Sequence, residues 1–186
     1  MRVGDLDVLE LADVDAWDAW LTEHHADTAE AWLRVRRKSA GIALVEFGDA
    51  LECALCHGWI DSMGRSLDEV SRLQRFSPRR PRSPWSQVNV AKVEALIAAG
   101  RMRPGGMAEV EAARADGRWA AAYPSQSQAT VPEDLAQALA AVPRAAEAFG
   151  RLSRSEQYAL MLPVYKALTE AGRARVVARV VAKLSG

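Results

Sequence analysis

The sequence predicts an α+β fold: a small antiparallel sheet covered by helices and followed by an all-helical C-terminal third. Three patterns carry that prediction. Residues 30–38, EAWLRVRRK, alternate with the period of a half-buried strand, and the runs 59–66 and 69–77 alternate on either side of Leu67 and Asp68, as the arms of a hairpin do. Beyond a polar stretch that begins at Tyr123, every segment reads as helix.

The first helix is expected over 13–25, DVDAWDAWLTEHH, with Asp13 as N-cap and Trp17, Trp20 and Leu21 forming one apolar stripe. His24 and His25 close it, where protonated imidazoles suit the helix dipole, and both read as surface residues. In the strand that follows, Leu33 and Val35 point one way and Trp32, Arg34 and Arg36 the other. A turn at 39–41 and a short extended piece lead to a helix opened by Gly48 and Asp49. Its Leu51, Ala54, Leu55 and Gly58 face the core, with Cys53 and Cys56 on or beside that face.

In the hairpin, Ile60 and Leu73 are expected to point inward. The run PRRPRSP then breaks regular structure. Ser83 as N-cap and Pro84 at the first helical position predict a helix through Ala99, ended by Gly100. Another is expected from Pro104 to about Ala115. The stretch YPSQSQATVPED is a linker or surface loop, and helices follow over 132–141, 143–150, 153–171 and 172–184. Ser153 with Glu156 forms a capping box, and Pro163 should kink or divide the third of these helices. The expected organisation is an α+β domain over 1–122 with a helical region, 123–186, packed on it.

At 186 residues the chain is long enough to bury a real core without staples. Lysine and arginine number 24, as do aspartate and glutamate, so the global field argues against nucleic acid and against an anionic membrane as partners. Two cysteines three residues apart cannot build a disulfide framework, and no apolar run approaches the roughly 18 to 20 residues of a membrane span. The N-terminus lacks the basic and apolar regions of a signal peptide, and a soluble cytoplasmic protein is expected.

Chemistry concentrates between Cys53 and Asn89. Cys53-Ala54-Leu55-Cys56-His57 satisfies the C-x-x-C-H signature of covalent haem, but the motif falls inside a predicted helix of a chain with no export signal. A redox dithiol normally opens a helix, whereas this pair comes near a helix end. A zinc site needs further ligands, and no spacing recommends any carboxylate. The cysteines therefore read as small packed hydrophobes, and neither metal nor cofactor is expected.

Arg72, Arg75, Arg79, Arg80 and Arg82 follow one another without an intervening acid, just before the helix start predicted at Ser83. Guanidinium forks and free helix N–H groups both suit an anion, and Trp85 and Phe76 offer flat apolar walls. The alternative is a solvated basic loop, or arginines paired with Asp61, Asp68 and Glu69. Asp61, in the strand beginning Gly58-Trp59-Ile60, suits an orienting salt bridge or an acid/base role.

The runs ALCHGWIDS, LDEVSRLQRFSPRRPRSPWSQVN and LIAAGRMRPGGMAEVEAARADGRW, with the helical tail from ATVPEDLAQAL, resemble the YdeI/OmpD-associated family of bacterial proteins, also described as bacteriocin-protection proteins. The resemblance extends from about Trp17 to Leu184. Gly-Trp-Ile-Asp maps onto Gly58 to Asp61, Arg-Phe-x-Pro-Arg onto Arg75 to Arg79, and Trp-Ser-x-x-Asn onto Trp85 to Asn89. Family members commonly carry an aromatic residue in place of His57, and their usual wording near the last helix is replaced here by TEAGRAR. The resemblance implies protection against antimicrobial peptides or bacteriocins, without an established reaction.

Two readings follow. The first is a cytoplasmic binding protein for a small anionic or aromatic molecule or a short peptide, contacted by Trp59, Arg75, Phe76, Arg79, Arg80, Trp85 and Asn89. The second is a cofactor-independent cyclase, isomerase or hydrolase using Asp61 and His57 as acid/base beside an arginine clamp. A protein partner held by the helical tail is a third possibility.

Overall fold

A computed structural model describes residues 1–38 and 40–186. The turn expected at 39–41 includes Ser39, which lies outside the described residues. In chain order the elements are β1 (Arg2–Val3), β2 (Leu6–Glu10), α1 (Val14–His24), β3 (Ala31–Arg36), α2 (Phe47–Cys56), β4 (Trp59–Ser66), β5 (Ser71–Pro78), α3 (Gln87–Ala98) and α4 (Pro104–Ala115). Then come α5 (Glu133–Ala140), α6 (Pro143–Arg151), α7 (Arg154–Tyr165) and α8 (Glu170–Ser185). The fold is α+β, and the chain divides into two compact units: Met1–Ser83 with Ala91–Asp116, and Pro84–Val90 with Gly117–Gly186.

The first unit is built on a five-stranded sheet ordered β1-β2-β3-β5-β4. The expected hairpin forms, with β4 and β5 antiparallel, and Asp68 closes its turn by accepting from the backbone N–H groups of Val70 and Ser71 at 3.0 and 2.6 Å. One expectation is corrected: the sheet is mixed. β2 pairs parallel with β3 because α1 carries the chain back across the sheet between them, and β1 pairs antiparallel with β2. These two N-terminal strands are short and not cleanly alternating, and so left no periodic signal.

Strand pairing sets which side chains share a face. Leu33 lies opposite Gln74, Ala31 opposite Phe76, and Phe76 opposite Asp61, so these project from one side of the sheet. Trp17 and Leu21 of α1 and Ala50, Leu51 and Ala54 of α2 are buried in the same unit. The Trp17 ring lies 5.5 Å from Phe76 and meets Trp59 edge-on at 6.5 Å, while Trp20 stacks on Trp17 at 5.2 Å. The Trp17 indole N–H also donates to the Ala50 carbonyl, 3.1 Å away, tying α1 to the first turn of α2. The opposite side carries a smaller cluster of Val8, Trp32 and Leu73. There Arg34 bridges Glu10 and Asp68 at 2.6 and 2.7 Å, and Leu73 is buried while Ile60 is half-buried.

Glycine makes the joint between α2 and α4. Gly58 has φ +79°, and a Cβ there would stand 2.9 Å from the Gly105 carbonyl oxygen. The Cys56 carbonyl, left open at the end of α2, accepts from the Arg103 N–H at 3.1 Å. α4 therefore starts against the end of α2.

In the second unit, Leu135, Leu139, Ala145, Phe149, Met161, Val164, Val177 and Val180 form the core of a bundle built from α5 to α8. Ser153 and Glu156 form the expected capping box. Pro163 sits inside α7, which runs on to Tyr165, and the break expected near it falls instead before Thr169, whose side chain caps α8 by accepting from the Gly172 N–H at 3.1 Å. The helix expected to start at Ser83 begins at Gln87. Trp85 and Ser86 are held extended before it, because Trp85 and Gln87 exchange backbone hydrogen bonds with Tyr123 at 3.0 and 2.9 Å. Among the described residues, no helix is long and apolar enough to cross a membrane.

Candidate functional site

The residues expected to form one site are dispersed. Trp59 and Phe76 are 1% and 0% exposed and belong to the aromatic core, so their rings offer a ligand almost no surface. Arg75 projects from the other side of the sheet from Phe76, its neighbour in β5, and its guanidinium is paired with Glu30 through Nε at 2.8 Å. Arg72 lies over the Phe47 ring at 4.3 Å, Arg79 is buried with Nη1 3.3 Å from Ser83 Oγ, and Arg80 is exposed. The arginine run is therefore split by strand alternation: Arg72 projects from the Phe76 side of the sheet and Arg75 from the other. Trp85 and Asn89 belong to the second unit, where Trp85 packs 4.8 Å from Trp119 and the Asn89 N–H donates to Ser86 Oγ at 3.2 Å.

Asp61 is half-buried in β4 and makes no ion pair among the described residues. Burial raises its pKa, and the fields of Arg72 and Arg79 pull against that without reversing it. His57, its proposed companion, turns elsewhere: Nε2 lies 2.8 Å from Asp18 Oδ1.

Asp18 is the centre of the constellation that the fold assembles. It follows Trp17 on α1, and the burial of Trp17 directs it toward the end of α2, where Cys53 and His57 lie one helical turn apart. Its Oδ1 accepts from His57 and, at 3.7 Å, from the Cys53 thiol, while Oδ2 accepts from Arg103 Nη2 at 2.6 Å. Beside this group opens a cleft of about 320 Å³, lined by Val14, Asp15, Asp18, Cys53, Cys56 and the connection Gly100–Arg103. Arg101 is set in its wall by Glu52, 3.4 Å away, and Lys92 holds the other Glu52 oxygen at 3.1 Å.

Burial lowers the pKa of His57, and the hydrogen bond to Asp18 opposes this only in part. Burial pushes Asp18 the other way, but the hydrogen bonds from His57 and Arg103 outweigh it and hold the carboxyl below its usual range. At neutral pH the imidazole is therefore uncharged and donates through Nε2 to an ionised carboxylate. Burial, then the charge of Asp18, raises the Cys53 thiol, so it is no activated nucleophile.

These directions give a signed pH dependence. A depressed imidazole takes up its proton in the unfolded chain first, so stability falls as pH drops below the ordinary histidine value of 6.5. A depressed carboxylate contributes stability above its ordinary value of 3.8, lost as pH falls through and below it. Urea midpoints should decline from neutral pH into the acid range, and His57→Gln should flatten the upper part of that decline. An unchanged slope in the variant would contradict the assignment.

Comparison with known families divides the chain in a similar way. Residues 9–109, more than half of the 186, match the family described as Domain of unknown function (DUF8412). The chain belongs to this family. The DUF8412 match contains Asp18, Cys53, His57 and Arg103 together with the Gly58–Asp61, Arg75–Arg79 and Trp85–Asn89 phrases. Residues 128–186 match the family described as Bacteriocin-protection, YdeI or OmpD-Associated, so the resemblance read along nearly the whole sequence holds over its C-terminal third. The comparison with curated proteins finds no match, and that with solved structures finds none.

Sequence reasoning missed Asp18, Arg101 and Arg103. A signal for the cluster was present in the i, i+4 spacing of Cys53 and His57, which sets both on one helix face. The partner on α1 lies 35 residues before Cys53, a separation closed by the packing of α1 against α2.

Proposed function

We propose that the protein binds a small zwitterionic molecule, an amino acid or the end of a short peptide, in the cleft beside Asp18, and that this binding serves protection of the bacteriocin-protection kind. The observation that carries the reading is the charge of the cleft wall: Arg101 and Arg103 on one segment against Asp15 and Asp18 on α1, around about 320 Å³. That volume suits a molecule of this size. Both arginines are about half exposed and already oriented by a carboxylate, so their remaining N–H groups are set to receive a second carboxylate. Asp15, without an ion partner among the described residues, suits an ammonium group. The bacteriocin-protection match of residues 128–186 supports a peptide as the natural ligand, because a peptide end carries such a charge. Acid/base catalysis through His57 has less support, since among the described residues its side chain hydrogen-bonds only to Asp18 and is 3% exposed.

Calorimetric titration with free amino acids and di- and tripeptides, each also N-acetylated and C-amidated, tests this reading. Blocking either terminus should weaken binding by tenfold or more, the factor that about 1.4 kcal/mol supplies. Arg101→Gln should weaken the free peptide by about 10- to 100-fold, the range of a charge-assisted hydrogen bond, and leave C-amidated peptide unchanged. Equal affinity for blocked and free forms would overturn the proposal.

A further inference from the structure

We propose that Asp18, Cys53 and His57 form a zinc site on the wall of the same cleft, with a fourth position open to solvent or to a bound molecule. The carboxylate oxygen, thiol sulfur and imidazole nitrogen all lie within 4.8 Å of one another. Oxygen to nitrogen is 2.8 Å, and sulfur to oxygen 3.7 Å. Ligands sharing a tetrahedral zinc ion, at bonds of about 2.0 Å for nitrogen and oxygen and 2.3 Å for sulfur, stand about 3.3 to 3.5 Å apart. The sulfur stands close to that spacing from the oxygen, the nitrogen and oxygen need part by only about half an ångström, and the sulfur and nitrogen, within 4.8 Å, close on the ion by side-chain rotation.

The donor set is also right for that ion. One nitrogen, one sulfur and one oxygen suit borderline-soft zinc, whereas magnesium and calcium take oxygen ligands. Three protein ligands with a vacant fourth direction are the arrangement of sites that keep a position for water or substrate. Cys53 and His57 are one turn apart on the end of α2, so a single rigid element fixes two of the three donors. Asp18, from α1, is oriented from behind by Arg103 on its other oxygen at 2.6 Å, the kind of outer contact that holds a ligating carboxylate in place.

The charges close as well. Without metal, burial and Asp18 keep the Cys53 thiol protonated; zinc reverses that balance, binding the thiolate while the proton leaves to solvent. Carboxylate and thiolate then neutralise the dication, and Arg103 keeps its pairing to Asp18. The acid titration described above is that of the metal-free protein. The site does not depend on the ligand reading, because Cys53 plays no part in that reading and Arg101 no part in this one.

Metal analysis after incubation with zinc and desalting should find one ion per chain. The cobalt-substituted protein should show a thiolate-to-cobalt charge-transfer band in the near ultraviolet. Cys53→Ala should abolish the band and weaken zinc by more than the roughly 10- to 100-fold that loss of a merely supporting contact costs. Cys56→Ala, on the same helix and lining the same cleft, should keep both band and affinity. Alanine is the best helix former, so both variants should retain α2, and circular dichroism checks that they do. The proposal is overturned if the wild-type cobalt form lacks the band, if the band survives in folded Cys53→Ala, or if Cys56→Ala loses it instead.

Discussion

Trp17→Ala should remove about 3 to 5 kcal/mol of stability, the cost of emptying a large aromatic site in a packed core. Trp17 is 0% exposed and touches Trp20, Trp59 and Phe76, so its removal withdraws a shared neighbour from three rings. It also leaves the Ala50 carbonyl without its 3.1 Å donor inside the core. The loss is a large part of the roughly 5 to 15 kcal/mol that holds an ordinary domain together. Trp20→Ala is the comparison: Trp20 is half-buried and stacks on the outer side of Trp17, so its loss should cost much less. Urea unfolding followed by fluorescence measures both, and equal losses would contradict the placement of Trp17 at the centre. The variant should weaken the cleft too, since Asp18 is aimed by the burial of the tryptophan before it.

What the sequence made legible is what depends on neighbours along the chain. The stripe of Trp17 and Leu21 produced α1, with Asp13 accepting from the Ala16 N–H as its cap. Alternation placed β3 and the hairpin, and Ser153 with Glu156 marked the start of α7. Local chemistry misled where a distant strand of backbone competed. Ser83-Pro84 is a sound helix start, yet pairing with Tyr123 keeps Trp85 and Ser86 extended and moves the start to Gln87. The site was legible only in half. His57 and the two cysteines stood out as residue types, but their partners come from α1 and from the segment before α4. The arginine run drew attention through density in sequence, which a strand then distributed over both faces of a sheet. Gly58-Trp59 was visible as a phrase whose reason is structural: one residue supplies a left-handed turn and the next a core indole.

Gly106→Ala should destabilise the protein, against the sign that helix propensity alone predicts. Alanine in place of a helical glycine ordinarily stabilises by up to about 1 kcal/mol. At Gly106, however, a Cβ would stand 2.8 Å from both the Cys56 carbonyl carbon and the Leu55 carbonyl oxygen, and closer still to the Cys56 oxygen. These are backbone atoms of α2 and cannot swing aside as a flexible side chain does. The first turn of α4 has to retreat, stretching the 3.1 Å bond from the Arg103 N–H to Cys56 and moving Arg103 relative to Asp18. A net loss of about 3 kcal/mol is expected, the upper end of the range for overpacking. Affinity for a zwitterionic peptide should fall with it, because Arg103 moves with the start of α4. Gly150→Ala supplies the opposite sign. Gly150 is also helical, in α6, but a Cβ there meets nothing within 4 Å, so the substitution should stabilise by about 0.5 to 1 kcal/mol. If both variants were stabilised, the backbone contact between α2 and α4 would not be as close as described, and the geometry that carries Arg103 to Asp18 would lose its support.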